Sequence, residues 1–544
     1  MKKILAVLLF SFCISIPVIL PFFHNGYFPT HDGEWAIIRL TDMFRTLRDF
    51  QIPARYSGNL NFGYGYPLFN FTYPFPYYLG VILHFFGFGF VNTIKILFAG
   101  SVVLSAFFMF LASKLLWKNT WAGIVSSVLY VYLPYRMVDL YVRGSIGESL
   151  SFALFPLLFY LAVRLIKKPS FLLISCTAIV LSMLITTHNI MAVLFLPAYT
   201  VLALIYAIFE NKKAIKPFFI SIILGFSLSA FFWIPAIFEK SYILLSQIPI
   251  ADRNLYFVSF NQLIFPSWGY GIPTSPDAFS YQLGLVSIII LAVSFLSVLA
   301  FIIKGKSKNY YVGIAYPLIA FIILYSFLLF SPSRFLWENI PLLSEINYPW
   351  IILGILGFLI SLLAGFLSGQ ALGKYLVVFL GIIAIFTIAP YAKPQQYINN
   401  PDSYYLTNDA TTTSSNELMP LWVKKIPSQR AIRKVEIISG NGEIENVASD
   451  SKQVNFSINA LTKTNIKINT IYFPGWKIYV DEIDTEIFYD NEQGVMEISI
   501  PSGRHIVNAK LKETPLRLAS DLISLMSASA IIFLIARGNK NAFI

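Results

Sequence analysis

Residues 74–90 read PFPYYLGVILHFFGFGF, and the topology of the whole chain turns on whether they cross a membrane. Twelve other apolar runs flank this segment, at about residues 4–23, 93–117, 119–134, 149–167, 170–187, 190–209, 217–239, 281–303, 310–330, 346–370, 372–391 and 516–536. Each approaches the ~20 residues that a helix needs to cross the hydrocarbon core. If 74–90 also spans, the basic loops RLIKKPS (164–170), ENKKAIK (210–216) and KGKSKN (304–309) fall opposite Lys2 and Lys3. If it lies in the interface, those loops share the cytoplasmic side with Lys2, Lys3 and the terminal RGNK (537–540), as positive-inside orientation requires. Its two prolines and its Tyr and Phe content suit an interfacial helix. The expectation is therefore about twelve spans with both termini in the cytoplasm.

Composition agrees. A chain of 544 residues that is 56% hydrophobic, 17% aromatic and 12% charged is not a set of soluble domains. The net charge of +12 sits in short clusters between apolar runs, which is an orientation signal and not a nucleic-acid footprint. Cys13 and Cys176 lie in separate apolar runs, so neither a disulfide framework nor a cysteine metal site is expected. The start, MKKILAVLLFSFCISIPVILPFF, has a basic end and an apolar run with no small-x-small cleavage site, and reads as an uncleaved first span.

This topology gathers residues 24–92, 135–148, 240–280, 331–345 and 392–515 on one outer face. The fold class expected is an α-helical polytopic membrane protein with an extracytoplasmic antiparallel β-sandwich before the last span. Its parts are a multi-span domain 1–391 with a first outer loop 24–92, a linker 392–430, a β-sandwich 431–513, and a final helix and tail 514–544. NTIYFPGWKIYVDEI (469–483) reads as two strands joined at Pro474 and Gly475, and VMEISIPSGRHIVNAKL (495–511) repeats the pattern around Ser502 and Gly503. No internal repeat is evident, which weighs against a secondary transporter built on inverted halves.

Chemistry-bearing residues concentrate on the same face. FPTHDGEWAIIRLTDMFRTLRDF (28–50) sets His31, Asp32 and Glu34 just past the first span. In one reading Asp32 caps a helix starting at Gly33 or Glu34, with Ile37, Leu40, Phe44 and Leu47 as its apolar face. In the other, Asp32 and Glu34 face a cavity, where a carboxylate takes a proton from a hydroxyl or holds a divalent cation. YRMVDLYVRGSIGESL (135–150) carries Arg136, Asp139, Arg143 and Glu148. These either pair among themselves as a clamp or bind a lipid phosphate in fork geometry. His188 and Asn189 in TTHN break an apolar stretch and are candidates for substrate contact. NLNFGYGYPLFNFTYPFPYY (59–78) reads as a membrane-interface aromatic belt, with a sugar-stacking platform as its other use.

HDGEWA, LNFGYGYPLFNFTYPFPYYLG, YVRGSIGES, TTHN, INYPW, TTTSSNELMPLWV and YFPGWKIYVD, in that order, resemble the bacterial membrane proteins labelled 6-pyruvoyl-tetrahydropterin-synthase-related. The zinc-holding histidine pattern of the soluble pterin synthases is absent. The architecture resembles the GT-C membrane glycosyltransferases, and that resemblance implies an acidic catalytic base in the first outer loop and a polyprenyl-phosphate sugar donor. Carried over, it makes Asp32 the base, Glu34 an auxiliary or metal-holding carboxylate, and Arg143 with Arg136 the holders of lipid phosphate. His31, Glu148, His188 and Asn189 complete the candidate substrate contacts. Asp-Gly-Glu replaces the Asp-x-Asp of metal-dependent members, leaving the divalent cation, Mg or Mn, open. Ile351 stands where an Arg is expected after NYPW. The partners implied are membrane lipid, a polyprenyl-linked sugar and a polysaccharide, lipid or protein acceptor, with no nucleic acid. The rival functions are a carrier or flippase of lipid-linked saccharide and an envelope scaffold.

Overall fold

The computed structural model describes residues 2–264, 268–271, 279–305, 309–370 and 372–540. Parts of two segments read from the sequence, the basic loop 304–309 and the outer stretch 240–280, lie outside these residues. Every one of the twelve apolar runs forms helix, but not every one has the length of a span. Among the described residues nine helices are long and apolar enough to cross a membrane. A tenth arises if the pair Lys212–Leu228 and Ala230–Tyr242, bent by 65°, counts as one. Ser229 sits at that bend, and its hydroxyl bonds back to the Gly225 carbonyl at 3.0 Å, a recognised way to kink a helix. The other two, Thr120–Val131 and Phe171–Thr187, are shorter apolar helices of 12 and 17 residues. By length and composition alone nine or ten of the twelve qualify among the described residues, with two shorter helices packed among them.

The deciding segment forms the helix Phe75–Phe85. At ~1.5 Å per residue it is about 16 Å long, roughly half of what crossing requires. Its length fits the interfacial alternative.

Pro349–Ser368 is the central post, with its whole apolar window buried. It is apolar all round, the pattern of a helix with no solvent face. Small residues let its neighbours close in: a side chain at Gly357 would strike Leu133, and one at Gly354 would meet Met191 and Phe152. Trp117 donates its indole N–H to the Leu362 carbonyl at 2.7 Å, satisfying the one polar atom it buries there.

The β domain has eight strands: β1 (Val435–Ser439), β2 (Gly442–Ser449), β3 (Gln453–Ala460), β4 (Thr464–Ile471), β5 (Trp476–Val480), β6 (Ile483–Thr485), β7 (Val495–Ile500) and β8 (Gly503–Leu511). They form two antiparallel sheets, ordered β1-β4-β7 and β2-β3-β8-β5-β6. The turns read from the sequence are present, but each carries the chain from one sheet to the other and makes no hairpin. β4 and β5 lie in different sheets, as do β7 and β8. Alternation places Val454, Phe456, Ile458 and Ala460 of β3 inward, facing a core shared with Ile466, Ile468, Met496 and Ile498. Gly475 adopts φ +112°, and any side chain there would meet the Lys512 carbonyl at 2.5 Å.

The aromatic stretch 59–78 is not a belt facing lipid. Tyr64, Tyr66, Leu68, Phe69 and Tyr77 are buried. The Ile471 N–H donates to the Tyr64 carbonyl at 2.9 Å, and Tyr56 Oη donates to the Ile471 carbonyl at 2.8 Å. The stretch is thus the seat of the β domain on the first loop. A composition rich in Tyr serves equally at an interface and at a packed junction, so sequence alone did not separate the two.

Candidate functional site

The site begins with a helix start. Gly33–Arg48 opens the first-loop helix, with Asp32 at the cap position. A capping side chain requires extended backbone, but Asp32 has ψ −12° and makes no cap hydrogen bond. Thr30 does that work: its Oγ1 accepts the Gly33 N–H at 2.9 Å. The Asp32 carboxylate is left for other partners.

Those partners come from 135–150. Asp139–Arg143 forms a single π-helical turn, a local irregularity frequent at functional sites. The first loop docks on its end through the backbone: His31 N–H donates to the Val142 carbonyl at 3.0 Å, and Asp32 N–H to the Arg143 carbonyl at 2.7 Å. Gly144 closes the turn at φ +65°, and a side chain there would collide with Thr30. This close approach fixes Asp32 against Arg143.

Arg143 lies between two carboxylates. Its Nη1 donates to Glu148 Oε2, and Tyr135 Oη donates to Glu148 Oε1 at 2.6 Å. Its Nη2 stands 3.8 Å from Asp32 Oδ2, within ion-pair range but beyond a hydrogen bond. The side chains grade from Glu148, 0% exposed, through Arg143 at 11% to Asp32 at 38%. The guanidinium packs 4.5 Å from the centre of the Trp350 ring. Trp350 in turn contacts Tyr135, Phe279, Tyr281 and Tyr348, so one arginine sits over an aromatic basket. The surrounding tyrosines and carboxylates, Tyr135 and Asp32 first among them, hold the Arg143 guanidinium above its ordinary range against the cost of burial.

The remaining candidates divide. His31 stacks 6.0 Å from Phe279; burial chiefly, with the Arg143 charge adding to it, holds its imidazole below the usual range, while Asp32 pulls the other way. Glu34 lies near enough to Tyr27 and Tyr405 for its charge to act on them, and burial raises its own carboxyl. Arg136 is fully buried behind the cluster, donating to the Ser149 carbonyl at 3.2 Å and to Ser101 Oγ at 2.8 Å, 4.4 Å from the Phe152 ring centre. No ion pair joins it to Asp139 among the described residues; the clamp reading holds for Arg143 and Glu148 alone. His188 stacks 5.1 Å from Tyr73 and accepts the Met191 N–H at 3.3 Å as a helix cap; burial drives its imidazole down to about 3. Asn189 is exposed at the start of the helix that His188 caps. Among the described residues no three His, Cys, Asp or Glu side chains gather to hold a metal ion.

Residues beyond the candidates complete the surroundings. Arg39 donates from Nε to Thr412 Oγ1 at 3.1 Å, and Tyr66 Oη lies 3.1 Å from the same hydroxyl, tying TTTSSNE to the first-loop helix. Tyr348 and Trp350 come from INYPW, and Ile351 beside them is buried. The signal for them was position in a motif, since nothing in their spacing relates them to Arg143.

The family model described as 6-pyruvoyl-tetrahydropterin synthase related domain, membrane protein, matches residues 69–397. The chain belongs to that family. The matched span of this pyruvoyl-tetrahydropterin-synthase-related membrane family includes Arg143, Glu148 and His188 and leaves out Asp32 and the β domain. An uncharacterized protein of Lactococcus lactis subsp. cremoris is 24% identical over 232 residues, which is 41% of this chain and 38% of that one. The chain therefore matches well under half the length of this relative. The crystal structure of the apo Archaeoglobus fulgidus oligosaccharyltransferase aligns at TM-score 0.38 and 13% identity, over 77% of this chain and 61% of that one.

Proposed function

We propose that this family member is a membrane glycosyltransferase, moving a sugar from a polyprenyl-phosphate donor to a cell-envelope acceptor on the outer face of the membrane. The observation that carries the reading is Asp32: a carboxylate released from capping by Thr30, 38% exposed, and 3.8 Å from an arginine that a buried glutamate holds in place. Asp32 takes the proton of the acceptor hydroxyl. The acceptor oxygen bonds to the anomeric carbon as the bond from that carbon to the phosphate oxygen breaks. Arg143 Nη2, not committed to Glu148, offsets the charge on the departing phosphate. Glu148 and Tyr135 keep the guanidinium aimed, while Arg136 is bound to Ser149 and Ser101 behind the cluster.

A cavity of about 350 Å³, lined by apolar residues of the helices Leu285–Ile303, Ile352–Ser368 and Gly373–Ile388, offers room for a lipid tail. Pro134 and Gln282 on its wall are chain neighbours of Tyr135 and Tyr281, which touch the Trp350 basket. In this reading the β domain is extracytoplasmic, the Phe75–Phe85 helix lies in the outer interface, and both termini are cytoplasmic. No step is routed through Mg or Mn.

The test is turnover by purified protein, wild type against Asp32→Asn, on a panel of polyprenyl-phosphate sugars. Release of polyprenyl phosphate is followed with and without divalent cation. Release by wild type that the folded variant loses supports the assignment and identifies the donor. Equal release by both proteins, or none with any donor, sinks it and turns the search to transport of lipid-linked saccharide.

A further inference from the structure

The β domain holds a second polar site that the transfer reaction does not use. A cleft of about 300 Å³ opens at one end of the five-stranded sheet, where β5 and its short edge partner β6 meet the turn before β5. Tyr472, Trp476, Lys477, Asp484 and Glu486 line it. Lys477 Nζ and Asp484 Oδ2 pair at 3.0 Å across it, each about half exposed.

Its aromatic side is Tyr472, which belongs to a cluster of rings. Tyr472 stacks on Tyr489 with ring centres 4.2 Å apart and planes 13° from parallel, and Trp422 stands 5.3 Å from Tyr489. Trp422 donates its indole N–H to the Tyr472 carbonyl at 3.0 Å, which fixes the group. None of these three rings is fully buried, so the cluster lies outside the sandwich core. One half-open aromatic ring beside carboxylates and an ammonium suits a pyranose: its C–H face lies on the ring while its hydroxyls bridge the charged groups. Two carboxylates against one ammonium disfavour a phosphate or an anionic headgroup. The three-residue β6 edge is too short to register a peptide strand.

We propose that this cleft binds a neutral saccharide chain, one ring lying on Tyr472 and its hydroxyls engaging Lys477, Asp484 and Glu486. The site stands independently of Asp32.

The test uses the full-length chain in detergent, titrated with maltohexaose and with chitohexaose by calorimetry. At least one is expected to bind, with Tyr472→Ala weakening it at least about ten-fold and Glu486→Gln by several-fold. Asp32→Asn should bind as wild type does, which keeps this result separate from loss of turnover. Should Tyr472→Ala fail to fold, Glu486→Gln and Asp484→Asn decide. Binding of neither oligosaccharide at millimolar concentration, or binding unchanged in the carboxylate variants, overturns the proposal. Saturation by phosphatidylglycerol vesicles in place of oligosaccharide overturns it equally.

Discussion

Of the arginine–carboxylate clusters that join the first loop to the helices, those at Glu239 and at Asp32 differ in what they leave unfinished. At Glu239 both carboxylate oxygens are used: Oε2 accepts from Arg517 Nε at 2.9 Å, Arg517 Nη2 at 2.8 Å and Asn70 Nδ2 at 2.7 Å, and Oε1 accepts from Thr514 at 3.2 Å. Both partners are closed off, at 1% and 4% exposure. At Asp32 the same residue types stop short, with one nitrogen of Arg143 and one carboxylate facing each other across 3.8 Å beside an opening. A saturated buried pair fastens elements together; an unsaturated one at a surface is available to a substrate.

The comparison breaks most sharply at Asp32. Replacement by Asn should lower turnover by about 10²–10⁴-fold, the usual contribution of a general base, with an unchanged unfolding midpoint. Glu239→Ala should do the reverse, costing about 3–5 kcal/mol of stability because it leaves Arg517 buried without its partner. Thermal unfolding of the two variants side by side checks the contrast, and equal destabilisation would erase it. Arg143→Lys preserves charge but not the fork that reaches Glu148 and Asp32 together, so a loss of about ten- to a hundred-fold in kcat is expected in steady-state assays.

The smallest effect belongs to Glu34. Burial raises its carboxyl, so the folded chain binds more protons than the unfolded one from the ordinary glutamate range up to the shifted value. Stability therefore falls as pH rises through that window, and the penalty is complete above it. Glu34→Gln should flatten this part of the profile of unfolding midpoint against pH and stabilise the chain slightly at neutral pH. A variant that follows the wild-type profile would show that Glu34 has a partner after all.

What was legible in the sequence follows from what is local. Bilayer thickness favours long apolar helical runs, so the twelve apolar runs announce themselves as helices, and strand alternation does the same for the β domain. The helix at Gly33 and its apolar face were readable, with Ile37 and Leu40 fully buried as spacing predicts. The choice of Thr30 over Asp32 as cap was not, since it depends on one backbone torsion set by docking against Arg143, 111 positions on in the chain. Composition shows that 472–475 and 501–502 turn, but the decision to change sheets there is made by partners across the sandwich.

The fastening of the first loop also bears on how the protein is made. Tyr27 exchanges both backbone hydrogen bonds with Ile398, at 2.8 and 2.7 Å, and Arg45 Nη2 reaches the Leu406 carbonyl at 2.8 Å. The Phe62 N–H donates to Asp409, Arg39 reaches Thr412, and Asp49 accepts the Ser451 N–H at 2.9 Å. All these partners leave the ribosome hundreds of residues later, so the loop waits for tens of seconds of synthesis at ~5–20 residues per second before it can be held. Asp32 and Arg143 are both made early, yet the partners that fasten the rest of the first loop arrive with the last third of the chain. A nascent chain halted near residue 390 would carry Asp32 docked on the Arg143 turn but with the rest of the first loop lacking its later partners.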